Sequence, residues 1–240
     1  MKGTMGKNRS RFGVWKAIFL NLGIVLFAGI FLQNCQKNIS NAVVSWGKPT
    51  LVIPDVVADD GVVSPVAVDA LGNGFIVWIR SEGERKSLWT KAYTPSQGWK
   101  NDIQIALESS DFLDVQIAMN SIGDGIVLWS QFDEGKTRIQ ANTYESELGW
   151  GTATPIQMVS ENASSPQITL DKMGGGIAVW AQGSGDLGSI HAAFYRKGKG
   201  WDPSIRVSTG TGDTDDPQIS MNESGNAVVV WQQSDGTDYK

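Results

Sequence analysis

Apolar residues in this chain fall into short runs that recur every 51 residues. Four runs end in tryptophan: Phe75-Ile76-Val77-Trp78, Ile126-Val127-Leu128-Trp129, Ile177-Ala178-Val179-Trp180 and Val228-Val229-Val230-Trp231. Ahead of each run the pattern alternates: Val66 and Val68, Ile117 and Met119, Ile168 and Leu170, Ile219 and Met221, with small or polar residues between them. Alternation with a period of two predicts a strand with one buried face. A short continuous apolar run predicts a strand buried on both faces, and hence sheets stacked face to face. Between the two strands stands Asp69, Asn120, Asp171 or Asn222, with Gly72, Gly123, Gly174 or Gly225 three residues later. This segment predicts a tight hairpin, because the Asx side chain bonds the backbone ahead of it and glycine accepts a positive φ. Leu88, Ile139 and Ile190 mark a third strand ending near Tyr93, Tyr144 and Tyr195. Gly98-Trp99, Gly149-Trp150 and Gly200-Trp201 open a fourth, which carries Ile105, Ile156 and Val207. No stretch after residue 35 repeats apolar residues at helical spacing over three turns.

Four antiparallel strands repeated at this period predict an all-β fold, a propeller-like array of four-stranded blades, partial or four-bladed. The pattern resembles the Trp-rich propeller repeats of exported bacterial proteins, over about residues 42–240. That resemblance implies a shape and not an activity. The expected units are a linker with an N-terminal strand over 36–63, repeats over 64–114, 115–165 and 166–216, and a truncated fourth repeat over 217–240. Lys240 aligns with Ser189, the first residue of a third strand. Asn41-Ala-Val-Val-Ser-Trp-Gly and residues 50–54 read as a fourth strand, with Trp46 two residues out of register. Two readings stay open: a fragment of a longer repeat protein, or a four-bladed ring that an N-terminal strand closes imperfectly.

The first 35 residues read as an address rather than as part of this fold. A basic stretch to residue 16 precedes the apolar run AIFLNLGIVLFAGIFL at 17–32, which predicts an export-signal helix shorter than the roughly 20 residues that span a bilayer. Leu32-Gln33-Asn34-Cys35 follows and resembles the lipobox of bacterial lipoproteins, with Gln33 and Asn34 where small residues are usual. The resemblance implies cleavage before Cys35, diacylglycerol on its thiol, and a lipid anchor to the membrane of a bacterial envelope. The rival reading is an uncleaved signal anchor. Both place residues 36–240 outside the cytoplasm.

Charge narrows the partners. Five of the 20 Lys and Arg lie in residues 1–35, and none of the 25 Asp and Glu do, so the remainder carries a formal charge of −10. So acidic a domain is a poor match for nucleic acid, whose phosphates need cations, and anionic lipid would repel it. One cysteine excludes an intrachain disulfide, and with one histidine it excludes a Cys/His zinc site.

Candidate chemistry is sparse. Trp78, Trp129, Trp180 and Trp231 read as structural repeat core. Trp99, Trp150 and Trp201 stand at a turn beside polar residues, where the rings either stack on a sugar or close a blade corner over the neighbouring unit. The Asp/Asn ladder reads as turn capping, since Asn cannot exchange protons. The acidic residues Asp59, Asp60, Asp111, Asp114, Asp213, Asp215 and Asp216 lack calcium-loop spacing and read as solvated loop charge. His191 shares its register position with Trp89 and Gln140 and reads as a surface residue. Sialidases resemble the chain in shape only: Asp69-Ala-Leu-Gly does not fit their Ser-x-Asp-x-Gly-x-x-Trp box, and Arg80, Arg85, Arg138, Arg196 and Arg206 share no register. The expected function is a membrane-anchored binding or scaffold module for extracellular protein or glycan, with no cofactor, metal or catalytic set. The alternative is a glycoside-acting, sialidase-like hydrolase or its inactive remnant.

Overall fold

In the computed structural model the described residues are Val52 and 65–83, 85–109, 111–133, 135–157, 161–183, 188–209 and 212–234. They form an all-β array of antiparallel sheets. Blade 1 is β1 (Val66–Val68), β2 (Gly74–Glu82), β3 (Arg85–Thr94) and β4 (Gly98–Ser109), paired in that order. Blade 2 is β5 (Asp111–Met119), β6 (Gly125–Asp133) and β7 (Lys136–Glu145), with β8 (Gly149–Trp150) and β9 (Thr154–Pro155) both on the outer edge of β7. Blade 3 repeats this with β10 (Ala163–Leu170), β11 (Gly176–Gln182), β12 (Ser189–Arg196), β13 (Gly200–Trp201) and β14 (Ile205–Arg206). The described part of blade 4 is the hairpin of β15 (Thr214–Met221) and β16 (Ala227–Gln233). The outer strand is continuous in blade 1 and broken into two short pairings in blades 2 and 3.

The hairpin between the first two strands is built as the Asx-x-x-Gly segment predicts. The Oδ1 of Asp69, Asn120, Asp171 and Asn222 accepts from the N–H two residues on (Leu71 2.8 Å, Ile122 3.2 Å, Met173 2.8 Å, Ser224 3.0 Å). It accepts a second from the N–H four residues on (Asn73, Asp124, Gly175, Asn226). Glycine is required at the fourth turn position, where φ runs from 81° to 93°.

A second repeated device was not visible in the pattern. The inner strands of blades 2, 3 and 4 each carry a bulge, between Leu113 and Gln116, Ser164 and Gln167, and Asp215 and Gln218. Each bulge holds a non-glycine residue at positive φ: Asp114 at 51°, Ser165 at 53° and Asp216 at 50°. Bulges sharpen strand twist, and Asp is among the residues that tolerate this conformation.

The core lies between blades. Val77, Leu88, Ile105 and Ala106 of blade 1 pack on Phe112, Val127 and Trp129 of blade 2. Ile126, Leu128, Ile139 and Ile156 of blade 2 pack on Ala163, Ala178, Trp180 and Ala193 of blade 3. Successive residues of β6 thus serve opposite junctions, as a strand buried on both faces must. Trp129 and Trp180 are fully enclosed; at about 150–250 Å² apiece, each contributes at most about 4–6 kcal/mol of apolar burial. Polar staples cross the same junctions. Asn142 Nδ2 donates to the Ile105 carbonyl at 2.8 Å, and the Ser165 N–H donates to Asp114 Oδ2 at 3.2 Å.

Candidate functional site

The hairpins between first and second strands and the turns between third and fourth strands gather at one end of the blades. The position of a Cβ on Gly72 would be 3.3 Å from Pro95, and one on Gly123 would be 3.6 Å from Ser146. At this end the third turn residue carries its backbone N–H inward to the Asx oxygen and its side chain outward. That residue is Leu71 (76% exposed), Ile122 (49%) and Met173 (77%) in blades 1 to 3, and Ser224 in blade 4. Leu148, in the neighbouring turn of blade 2, is also exposed. The turn itself needs only the backbone of this residue, so the apolar side chains are not explained by folding. Sequence reasoning passed over them because they lie outside both the strand alternation and the Asx-Gly ladder.

Beneath this rim a shallow cleft with about 10 Å³ of free room, enough for about one water, separates blades 2 and 3, lined by Asp124, Tyr144, Glu145, Leu170, Tyr195 and Lys197 among others. It is smaller than the roughly 300–1,000 Å³ of small-molecule pockets. Asp124 comes from the first hairpin of blade 2 and Lys197 from the outer turn of blade 3. Their Nζ–Oδ2 distance is 2.7 Å, with the Asp124 side chain 5% exposed. The Ser146 N–H donates to the other oxygen at 3.1 Å, and Asn120 Nδ2 lies 3.4 Å from Oδ2. Burial pushes the Asp124 pKa up, but the Lys197 bond and the two further donors outweigh it and hold the carboxyl below its ordinary value. The bond to Asp124 holds the Lys197 ammonium above its ordinary value. Burial raises the Tyr195 phenol. With both Asp124 oxygens engaged, this pair reads as a clamp between blades.

Trp99, Trp150 and Trp201 are half-buried and lie against the tyrosine of their own third strand, at 5.2, 5.4 and 5.3 Å between centroids. Trp150 also meets Phe75 of blade 1 edge-on at 5.2 Å, and Trp201 packs on the core between blades 2 and 3. Each ring therefore covers a blade corner. Trp78, Trp129 and Trp180 are buried, whereas Trp231 is half-buried on the two-stranded part of blade 4. The indole N–H of Trp129, Trp180 and Trp231 donates to the glutamine two residues on (Gln131 3.1 Å, Gln182 3.1 Å, Gln233 3.3 Å).

His191 corrects a surface expectation: it is half-buried and stacked on Trp180 with centroids 6.2 Å apart. Burial first, then the Arg206 charge, lower its pKa, while the Glu161 charge opposes them. Of the acidic residues, Asp111 pairs with Lys86 at 2.8 Å and Asp114 accepts from Ser130 and Ser165. Asp59 and Asp60 lie outside the described residues, as does Cys35 with the whole segment 1–35. Among the described residues, no group of three or more His, Cys, Asp or Glu is placed to hold a metal ion. No helix among them is long and apolar enough to cross a membrane.

The chain is similar to the endo-arabinase from Bacteroides thetaiotaomicron VPI-5482, with a TM-score of 0.42 and 13% identity over 70% of this chain and 69% of that one. No protein-family model matches it, and no curated protein does.

Proposed function

We propose that this chain is an extracytoplasmic, membrane-anchored binding module, and that it takes a protein partner on the hairpin end of its blades. The observation that carries this is the row of Leu71, Ile122 and Met173, held outward by one turn geometry in three successive blades. Aliphatic side chains on rigid turns suit an apolar protein surface better than a sugar ring, which calls for planar faces and hydrogen bonds. The anchor is assigned to Cys35, the only cysteine, three residues beyond the apolar run; acyl chains at about 0.8 kcal/mol per buried CH₂ supply stable attachment.

The test uses the full chain in detergent against a displayed peptide library, a glycan array and nitrophenyl glycosides. Apolar peptides are expected to bind, and the variant Leu71→Ser/Ile122→Ser/Met173→Ser is expected to lose them. Equal binding by that variant would refute the assigned face, and turnover of a glycoside would establish the hydrolase reading instead. For the anchor, radioactive palmitate is expected to label the protein in growing cells and to vanish with Cys35→Ser; a wild-type protein that takes no label refutes acylation.

A further inference from the structure

Among the described residues the junction between blades is made three times, and each end of that described array presents one half of it. On the side of a blade that faces the next, the third residue of the apolar run is Val77, Leu128 or Val179, each fully enclosed. In blade 4 that residue is Val230, 57% exposed, and Val228 beside it is exposed too. On the side that faces the preceding blade, the inner strand presents Ile117, Ile168 and Ile219, all partly buried. In blade 1 the matching Val66 and Val68 are 60% and 57% exposed. Among the described residues, β1 and β15 do not pack on each other as β1 and β5, β5 and β10, and β10 and β15 do.

Val52 shows what belongs in front of blade 1. It is buried against Ile76 and Trp78, with Trp89 and Trp99 around it. Its carbonyl accepts from Lys91 Nζ at 3.0 Å. Lys91 is the register mate of Asn142, whose side chain binds the Ile105 carbonyl in the blade before it. Val52 also follows Trp46 by six residues, as Ile105 follows Trp99 and Ile156 follows Trp150. Val52 therefore occupies the place of an outer-strand residue of a preceding blade whose inner strands are absent from the described residues. Blade 4 has inner strands and, among the described residues, no outer one.

We infer that a second copy of this chain docks head to tail, its β15–β16 hairpin entering the space in front of blade 1 and inside Val52. Val228 and Val230 of one copy then meet Val66 and Val68 of the other, continuing the interface already formed between blades. Such a contact is heterologous, so each copy keeps one half free for the next. It uses the two end faces, separate from the hairpin end assigned to a partner above.

Sedimentation velocity of the full chain in detergent tests this. Association that rises with concentration is expected, and Val68→Asp or Val230→Asp alone is expected to weaken it at least tenfold, with an unchanged far-UV circular dichroism spectrum. Mixing the two variants is the decisive arm. The intact Val230 face of the first pairs with the intact Val68 face of the second, so a one-to-one dimer returns. Leu107→Asp, at an exposed site on β4, leaves association unchanged. A monomer at every concentration, indifference to both variants, or a mixture that stays monomeric overturns the inference.

Discussion

Trp129 and Trp180 offer a clean measure of what a buried polar partner costs in this array. Both are fully enclosed, both sit in complete junctions, and each donates its indole N–H at 3.1 Å to the glutamine two residues on. They differ in the acceptor: Gln182 is 1% exposed, whereas Gln131 is partly open to water. Phenylalanine at either position removes a similar volume from a similar core, and both substitutions are expected to lose on the order of 1–3 kcal/mol for that reason. Trp180→Phe also leaves the Gln182 side-chain Oε1 dry and without its indole donor, an additional cost of about 1–3 kcal/mol. At position 129 water can take over the hydrogen bond. Gln182→Met in the Trp180→Phe background is expected to recover most of the difference, since replacing both polar partners by apolar groups is nearly neutral. Urea unfolding followed by far-UV circular dichroism at pH 7 reads all four chains, with the slope checked for cooperativity. Equal losses at 129 and 180, or no recovery in the double variant, would refute the reasoning.

Further outcomes follow from the turns and the clamp. Because the folded Asp124 pKa lies below its ordinary 3.8, its contribution is present above that pH and lost as pH falls through the folded value. Asp124→Asn should therefore cost about 1.5–3 kcal/mol at pH 7 and converge with wild type in thermal melts as the pH falls from 3.8 through the lowered folded value. Lys197 is raised, so its share persists below 10.5 and disappears as pH rises through the folded value; melts from pH 9 to 12 check it. Gly174→Ala adds a Cβ at φ 84°, 2.9 Å from Asp124 Oδ2, whereas Gly198→Ala at φ 76° meets nothing within 4 Å. Backbone strain alone is expected to cost about 1 kcal/mol at Gly198, with a clearly larger loss at Gly174 in the same urea assay. Serine at Leu71, Ile122 and Met173 is expected to leave stability within about 0.5 kcal/mol, and a larger loss would mean that the folded array uses these side chains.

The strands and hairpins were legible because their residues obey spacing rules that packing enforces. A tryptophan after three apolar residues has to be buried, and Asx before glycine can close the turn through its own side chain. The glutamine partners were equally visible at Trp plus two, but Arg80 breaks that ladder in blade 1, where the guanidinium lies over Trp89 at 4.3 Å and the Trp78 N–H has no partner among the described residues. The bulges could not be read, since Asp114, Ser165 and Asp216 are ordinary polar residues with no glycine among them to signal a positive φ. His191 misled because its register position holds Trp, Gln and His, which looks like freedom. The position is instead set by the face of the adjacent tryptophan. The clamp escaped notice because Asp124 and Lys197 are 73 residues apart and neither belongs to a ladder.

That last departure from the ladder makes these repeats unequal. Opposite Lys197 stands Asp124, but the register mates are Ser146 and Asn73 in the junction before it. Moving blade 3 to follow blade 1 would bring a lysine to an asparagine and leave the Asp124 carboxylate enclosed without its cation. Duplicating blade 2 in place would set Ser146 beside that carboxylate and strand it just as badly. A chain whose modules look interchangeable by their tryptophans is thus locked into one sequence of modules by a single ion pair, and any shuffling of the gene must carry blades 2 and 3 together.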